Sequence, residues 1–151
     1  GAGESVETPM VSQMEDFTSS RAFRVSGRQA FESAGIGHAD VDHLMIYDAF
    51  AHLPLYGLGD LGFCKPDEAK HFYRERRTAP GGELPTNTNG GGLSYTHPGM
   101  YGMFLVVEAV RQLRGECGPR QVPGAEIAVS HGSGMVLSCM STAVLGTEAT
   151  L

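Results

Sequence analysis

Asn87-Thr-Asn-Gly-Gly-Gly-Leu-Ser-Tyr95-Thr-His97-Pro-Gly-Met-Tyr-Gly102 is the stretch that decides how this chain folds. It crowds glycines, one imidazole and two phenols into a short loop, and an apolar helical pattern follows at once, with Met103, Phe104, Val107, Val110 and Leu113 on one side. Glycine lets backbone approach a ligand closely. A helix start adds free N–H groups and positive partial charge. The segment therefore reads as a cradle for an anionic intermediate, with His97 supplying a group that titrates near neutral pH.

Outward from this loop, the pattern gives helix, strand, helix, long loop, helix and hairpin. Residues 1–16 read as the tail of a strand and then a loop. Thr18 is placed to cap a helix running to about Ala34, where Gly35 stops it. His43-Leu-Met-Ile-Tyr47 reads as a short buried strand, and His52 to Leu61 as a second helix. Residues 64–86 read as a polar loop. In it, the cations Arg74, Arg76 and Arg77 form either a solvated or interface surface or a phosphate grip. A helix spans about Met100 to Leu113. Ala125–Ser130, a turn at His131-Gly-Ser-Gly134 and Met135–Leu145 read as an antiparallel hairpin. That order implies an α/β fold, a sheet with helices packed on it.

The bulk numbers set limits. The 151 residues make one domain or part of a larger one. Glycine is high, 21 of 151 residues, and the excess is local, at Gly81–Gly82, Gly90–Gly92, Gly99–Gly102 and Gly132–Gly134. A net charge of −6 argues against a general nucleic-acid binder, which needs a basic footprint. Cys64, Cys117 and Cys139 have no metal-ligand spacing, and an odd, sparse count fits a reducing cytoplasm. No run approaches the roughly 18 apolar residues of a membrane span. The opening Gly1-Ala-Gly-Glu4, without an initiator methionine, is what part of a longer protein would show.

Tyr47, Tyr95, His97 and His131 stand at element ends or beside glycine, and ligands gather at strand carboxyl ends in open α/β sheets. Each also has a plainer reading. Tyr47 and Tyr95 fit as packed aromatics, His97 as a turn residue before proline, and His131 as a hairpin residue bonded to backbone.

Taken together these boxes resemble the C-terminal half of the thiolase superfamily. Asn87-Thr-Asn89-Gly90-Gly91, followed by His97-Pro98 and Gly99-Met-Tyr-Gly102, is similar to the thiolase Asn-x-x-Gly-Gly and Gly-His-Pro boxes. Ala34-Gly-Ile36, Asp40-Val-Asp42 and Tyr47-Asp-Ala-Phe50 follow the order that leads to the Asn-Glu-Ala-Phe box, and His131-Gly-Ser-Gly134 stands where thiolases have Cys-x-Gly-Gly-Gly in a hairpin. The resemblance implies a thiolase-like half, a mixed sheet with helices on both faces and a C-terminal hairpin. It implies a domain over 18–151, with 1–17 continuing from an N-terminal half that lies outside this chain.

The departures point to particular chemistry. Tyr47 replaces the box asparagine, Thr96 the glycine before His-Pro, and His131 the cysteine that serves thiolases as acid/base. These changes resemble the sterol-carrier-type thiolases called lipid-transfer proteins, especially steroid side-chain aldolases. That likeness implies retro-aldol cleavage of a β-hydroxyacyl-CoA, with Tyr47 and Tyr95 handling the substrate hydroxyl and α-carbon in either order. His97 would hydrogen-bond the thioester oxygen, His131 would orient a phenol or exchange its proton, and Asn89, Gly90, Gly91 and Gly134 would border the substrate. No cofactor or metal is implied beyond the CoA of the substrate. A homodimer and an OB-fold partner with an associated hydratase are. The alternatives are a thiolase-type acetyl-CoA acyltransferase and a non-catalytic lipid-transfer or scaffold module.

Overall fold

The structure, a computed structural model, describes residues 1–96 and 99–150. A four-stranded mixed sheet has the order β1-β4-β3-β2, built from β1 (Ala2–Val6), β2 (His43–Ile46), β3 (Ile127–Gly134) and β4 (Cys139–Gly146). β2 runs parallel to β3, while β3–β4 and β1–β4 are antiparallel. Helices α1 (Arg21–Ala34), α2 (Leu53–Asp60) and α3 (Ala69–Arg74) pack on one face, and α4 (Tyr101–Leu113) packs on the other. This is the mixed α/β sheet with helices on both faces that the thiolase resemblance implies.

Several local expectations shift. Helix α1 is capped by Ser20, whose hydroxyl accepts from Phe23 N–H, whereas Thr18 turns back onto Asp16. Gly35 ends the helix with φ 69°, the left-handed conformation that favours glycine there. The polar 64–86 segment contains α3, whose Ala69 and Phe72 are buried. The hairpin turn moves four residues along. β3 continues through His131-Gly-Ser-Gly134, and the reversal occurs between Gly134 and Cys139, where Met135 and Leu137 take positive φ. His131 therefore sits inside a strand, opposite Thr142.

Strand alternation then sorts the side chains. Leu44 and Ile46 join the core under α1, together with Phe23, Leu58 and Val129, while Met45 and Ala128 join Tyr101, Leu105 and Ala109 under α4. The free edge of β1 is blunted by α1. Ala2 N–H donates to Ser33 Oγ at 2.9 Å and Glu4 N–H to Gln29 Oε1 at 3.0 Å, so outward amides of this edge are already used.

Helix α4 is tied down by charge as well as by apolar contact. The buried Glu108 carboxylate accepts from Arg120 Nε at 2.8 Å, Arg120 Nη2 at 3.0 Å and Thr88 Oγ1 at 2.8 Å. Burial pushes its pKa up, but these bonds outweigh that and hold it below the usual carboxylate value. Gln112 joins the same cluster, bonding Thr88 and the Arg120 carbonyl through Nε2 and accepting from Val122 N–H through Oε1. The pair is asymmetric, because the Glu108 side chain is 4% exposed and that of Arg120 is 37%. Arg120→Met strands a buried carboxylate and is expected to cost about 3 kcal/mol. Glu108→Gln leaves a guanidinium that reaches water and is expected to cost about 1 kcal/mol. Urea unfolding of both variants checks the order.

Candidate functional site

The glycine loop is stitched to the exit of β2 by side chains. Asn87, at φ 51°, accepts from Ile46 N–H at 2.8 Å and donates from Nδ2 to the Ile46 carbonyl at 2.9 Å, standing in for a neighbouring strand. Its own N–H reaches the Leu44 carbonyl at 2.9 Å. Asp48, buried immediately after Tyr47, accepts from Gly92 N–H and, at 3.3 Å, from Leu93 N–H. Asn89 Oδ1 accepts from Gly91 N–H at 2.9 Å and from the Tyr101 hydroxyl at 3.2 Å.

These bonds change what the loop does. Gly90 N–H donates to the Asn87 carbonyl, Ser94 N–H to Gly91 and Tyr95 N–H to Gly92. Every amide from Gly90 to Tyr95 is thus engaged within the protein, and none in this run is left to cradle an anion. The loop is a scaffold. Gly90 is exposed, Gly91 is buried against Asp48, and Asn89 holds the turn.

What the scaffold presents is a cluster of phenols. Tyr47, Asp48, Gly92, Leu93, Tyr95 and Tyr101 line a cavity of 150 Å³. The Tyr47 and Tyr101 ring centroids lie 5.5 Å apart, those of Tyr95 and Tyr101 6.0 Å, and Phe104 packs on Tyr95 at 5.9 Å. The structure therefore brings Tyr47 and Tyr95 to one cavity. His97 lies outside the described residues. Asp48 and Tyr101 are the members that sequence reading missed. The signals were present: an acid directly after Tyr47, and a Tyr101-x-x-Phe104 spacing that puts two rings on adjacent turns.

His131 is elsewhere. It lies on the α1 face of the sheet, fully buried, with its ring 4.1 Å from that of Phe23. Its Nδ1 is 2.8 Å from Thr142 Oγ1, which donates to Ser26 Oγ at 3.0 Å, and Ser26 donates onward to the Phe23 carbonyl. Since Thr142 has spent its one proton, Nδ1 carries the hydrogen, and the buried Nε2, which has no partner among the described residues, is the bare nitrogen. The strand position separates His131 from the phenols, which occupy the opposite face. Gly134 is also apart. It borders a groove of 840 Å³ between the start of α4 and the β1–β4 half of the sheet, and a side chain there would collide with Cys139 Sγ.

A second buried histidine lies near the loop. His43 Nε2 is 2.9 Å from Thr88 Oγ1, whose proton goes to Glu108, so His43 carries its hydrogen on Nε2 and leaves Nδ1 bare. Burial lowers its pKa to about 4 against the opposing pull of Glu108, and burial lowers that of His131 to about 3. An unfolded histidine takes its proton near pH 6.5. Below that pH the unfolded chain binds protons that the folded chain refuses, so stability falls with acidification until each folded pKa is passed. The expected loss is about 1.4 kcal/mol per pH unit per histidine between roughly pH 6.5 and 4. Urea midpoints from about pH 7 to about pH 5 measure it, and His131→Gln is expected to remove about half of the slope. At the loop, Gly91 has φ 72° and an added methyl would fall inside the Asp48 carboxylate. Gly91→Ala is expected to lower the melting temperature by several degrees, on the order of 1–3 kcal/mol of stability.

Comparison with known proteins places this architecture. The chain is similar to an acetyl-CoA acetyltransferase of Methanothermobacter thermautotrophicus, 36% identical over 110 residues, which are 72% of this chain and 29% of that protein. It is similar to a 17-hydroxy-3-oxo-4-pregnene-20-carboxyl-CoA lyase of Mycobacterium tuberculosis, 40% identical over 113 residues, 74% of this chain and 28% of that one. Among solved structures, the Ltp2-ChsH2(DUF35) aldolase superposes with a TM-score of 0.86 at 28% identity, covering 98% of this chain and 38% of that one. The chain thus spans less than two fifths of each of these proteins. The family described as thiolase C-terminal domain-like matches residues 3–147, and with a four-stranded mixed sheet clasped between α1 and α4, this chain belongs to that family.

Proposed function

We propose that the protein containing this chain cleaves a β-hydroxyacyl-CoA by retro-aldol reaction, giving a ketone and a shorter acyl-CoA. The observation that carries this reading is that Tyr47 and Tyr95 open on one small cavity. In the reaction a base removes the β-hydroxyl proton, and the O–H electrons form the ketone. The Cα–Cβ bond breaks into a thioester enolate, and an acid protonates the α-carbon. A base, an acid and an enolate stabiliser suffice, and no covalent nucleophile is needed. One phenol serves the hydroxyl and the other the α-carbon. The loop amides from Gly90 to Tyr95 are already bonded within the protein, and His97 is proposed to donate to the thioester oxygen. No role is given to His131 beyond holding β3 to α1.

The lyase and aldolase names of two similar proteins support this reading. The acetyltransferase name supports acyl transfer as the second reading. A non-catalytic lipid carrier would not need two phenols gathered on one cavity. The groove of 840 Å³ lies in the range of ligand sites and is proposed to receive the acyl portion. Beside it, Met100 and the α4 residues Met103, Phe104 and Val107 are exposed, an apolar face of the kind that other protein covers. The rest of the polypeptide is proposed to cover it, in a cytoplasmic homodimer joined to an OB-fold partner protein; the paired name of the superposed aldolase supports a partner. No described helix is long and apolar enough to cross a membrane.

Two measurements on the full-length protein separate the readings. For a retro-aldolase, Tyr47→Phe and Tyr95→Phe each lower ketone release by 10²-fold or more, on the order of general acid–base contributions. Near-normal rates in both variants would end the phenol mechanism. For an acyltransferase, labelled acetyl-CoA leaves a covalent acyl-enzyme, and the phenol variants retain it.

A further inference from the structure

We infer that Tyr101 is the positioning residue that sets the gap between Tyr47 and Tyr95, an inference that rests on the retro-aldolase reading. The two phenols arrive from separate elements, the exit of β2 and the glycine loop. Among the described residues their rings do not pair with each other; each packs on Tyr101, at 5.5 Å and 6.0 Å. Tyr101 is itself 1% exposed. Phe104, one helical turn on, sits edge-on to the Tyr101 ring at 5.7 Å and stacks on Tyr95. The hydroxyl is held by Asn89 Oδ1, the same atom that holds Gly91 N–H. The spacer is thus locked at both ring and hydroxyl.

The chemistry gives this spacing a purpose. One phenol must reach the β-oxygen and the other the α-carbon, atoms two bonds apart. Two hydroxyls free to meet would bond to each other and leave the substrate unserved. A ring wedged between them keeps both directed at the cavity. Burial, with a smaller push from the nearby Asp48 carboxylate, raises the Tyr101 pKa, so its hydroxyl stays a donor to Asn89 rather than a proton carrier. Tyr101 acts through the other two phenols, not on the substrate.

The test uses the full-length protein with its partner subunit and a β-hydroxyacyl-CoA substrate, following ketone release. Tyr101→Phe keeps the ring and is expected to hold kcat within about tenfold. Tyr101→Leu removes the wedge and is expected to lower kcat about 100-fold with KM within about threefold, the size of loss that misplacement of about 1 Å produces. Placed on the Tyr47→Phe/Tyr95→Phe background, Tyr101→Leu is expected to cost nothing more, whereas a separate structural role would add its loss in full. Melting curves check folding, and Tyr101→Met replaces the leucine variant if that chain does not fold. Near-normal kcat in the leucine or methionine variant overturns the proposal. So does a full further loss on the double-phenol background, or a Tyr101→Phe defect as large as that of Tyr47→Phe. Failure of the underlying reading looks different: no ketone forms from the unmodified protein, or the Tyr47 and Tyr95 variants keep their rate.

Discussion

The clamp between Asp48 and the glycine loop is the constraint on which the rest of the site depends. A loop that runs against a sheet must find partners for its amides, because buried N–H groups without them are costly. Here a carboxylate at the exit of β2 takes two of those amides, Gly92 and Leu93, and Asn89 takes Gly91. Asn87 does the same for the strand itself by pairing both its amide atoms with Ile46. Glycine at 91 and 92 follows from that contact, since a side chain at either position would enter the space of Asp48. The loop is thus held rigidly enough to deliver Tyr95 beside Tyr101.

The second constraint is the two-residue period of the strands. His43, Met45 and Tyr47 project toward α4, and Leu44 and Ile46 toward α1. The same alternation along β3 sends Ser130 to the Leu105 carbonyl on α4 and His131 to Phe23 on α1. Two histidines therefore end up in comparable chemistry on opposite faces. Each is buried and neutral with one bare nitrogen, and each is fixed by a threonine hydroxyl. His43 belongs to the network that anchors Thr88, next to Asn89, while His131 belongs to the seam between the sheet and α1. Proximity in sequence to glycines was no guide to which one neighbours the phenols.

Helix α4 links packing to function. It buries Tyr101, Leu105, Glu108, Ala109 and Gln112 against the sheet, yet Met103, Phe104 and Val107, the residues that mark an apolar stripe in the sequence, are exposed. A helix apolar on both sides belongs between two layers. One of those layers is this sheet. The inner side carries the ion pair and the phenol spacer, and the outer side runs on to the mouth of the groove. The candidate cavity therefore lies beside an exposed apolar surface, where Phe104 packs on Tyr95.

The amino-acid sequence by itself determined the class of fold, the order of its main elements and the choice of Tyr47 and Tyr95 as candidate site residues. Those follow from local signals: period-2 and period-3.6 apolar patterns, glycine stops, and boxes in a fixed order. It did not determine the hairpin turn, the face of His131, the fate of the loop amides or the place of Tyr101. The turn lies at Met135 and Leu137, residues with no turn preference, because β3 pairs with β4 as far as Gly134. That register assigns His131 its face. The amides are claimed by Asp48, 44 positions back along the chain. Each of these outcomes is a contact between distant segments, so only the tertiary structure decides it.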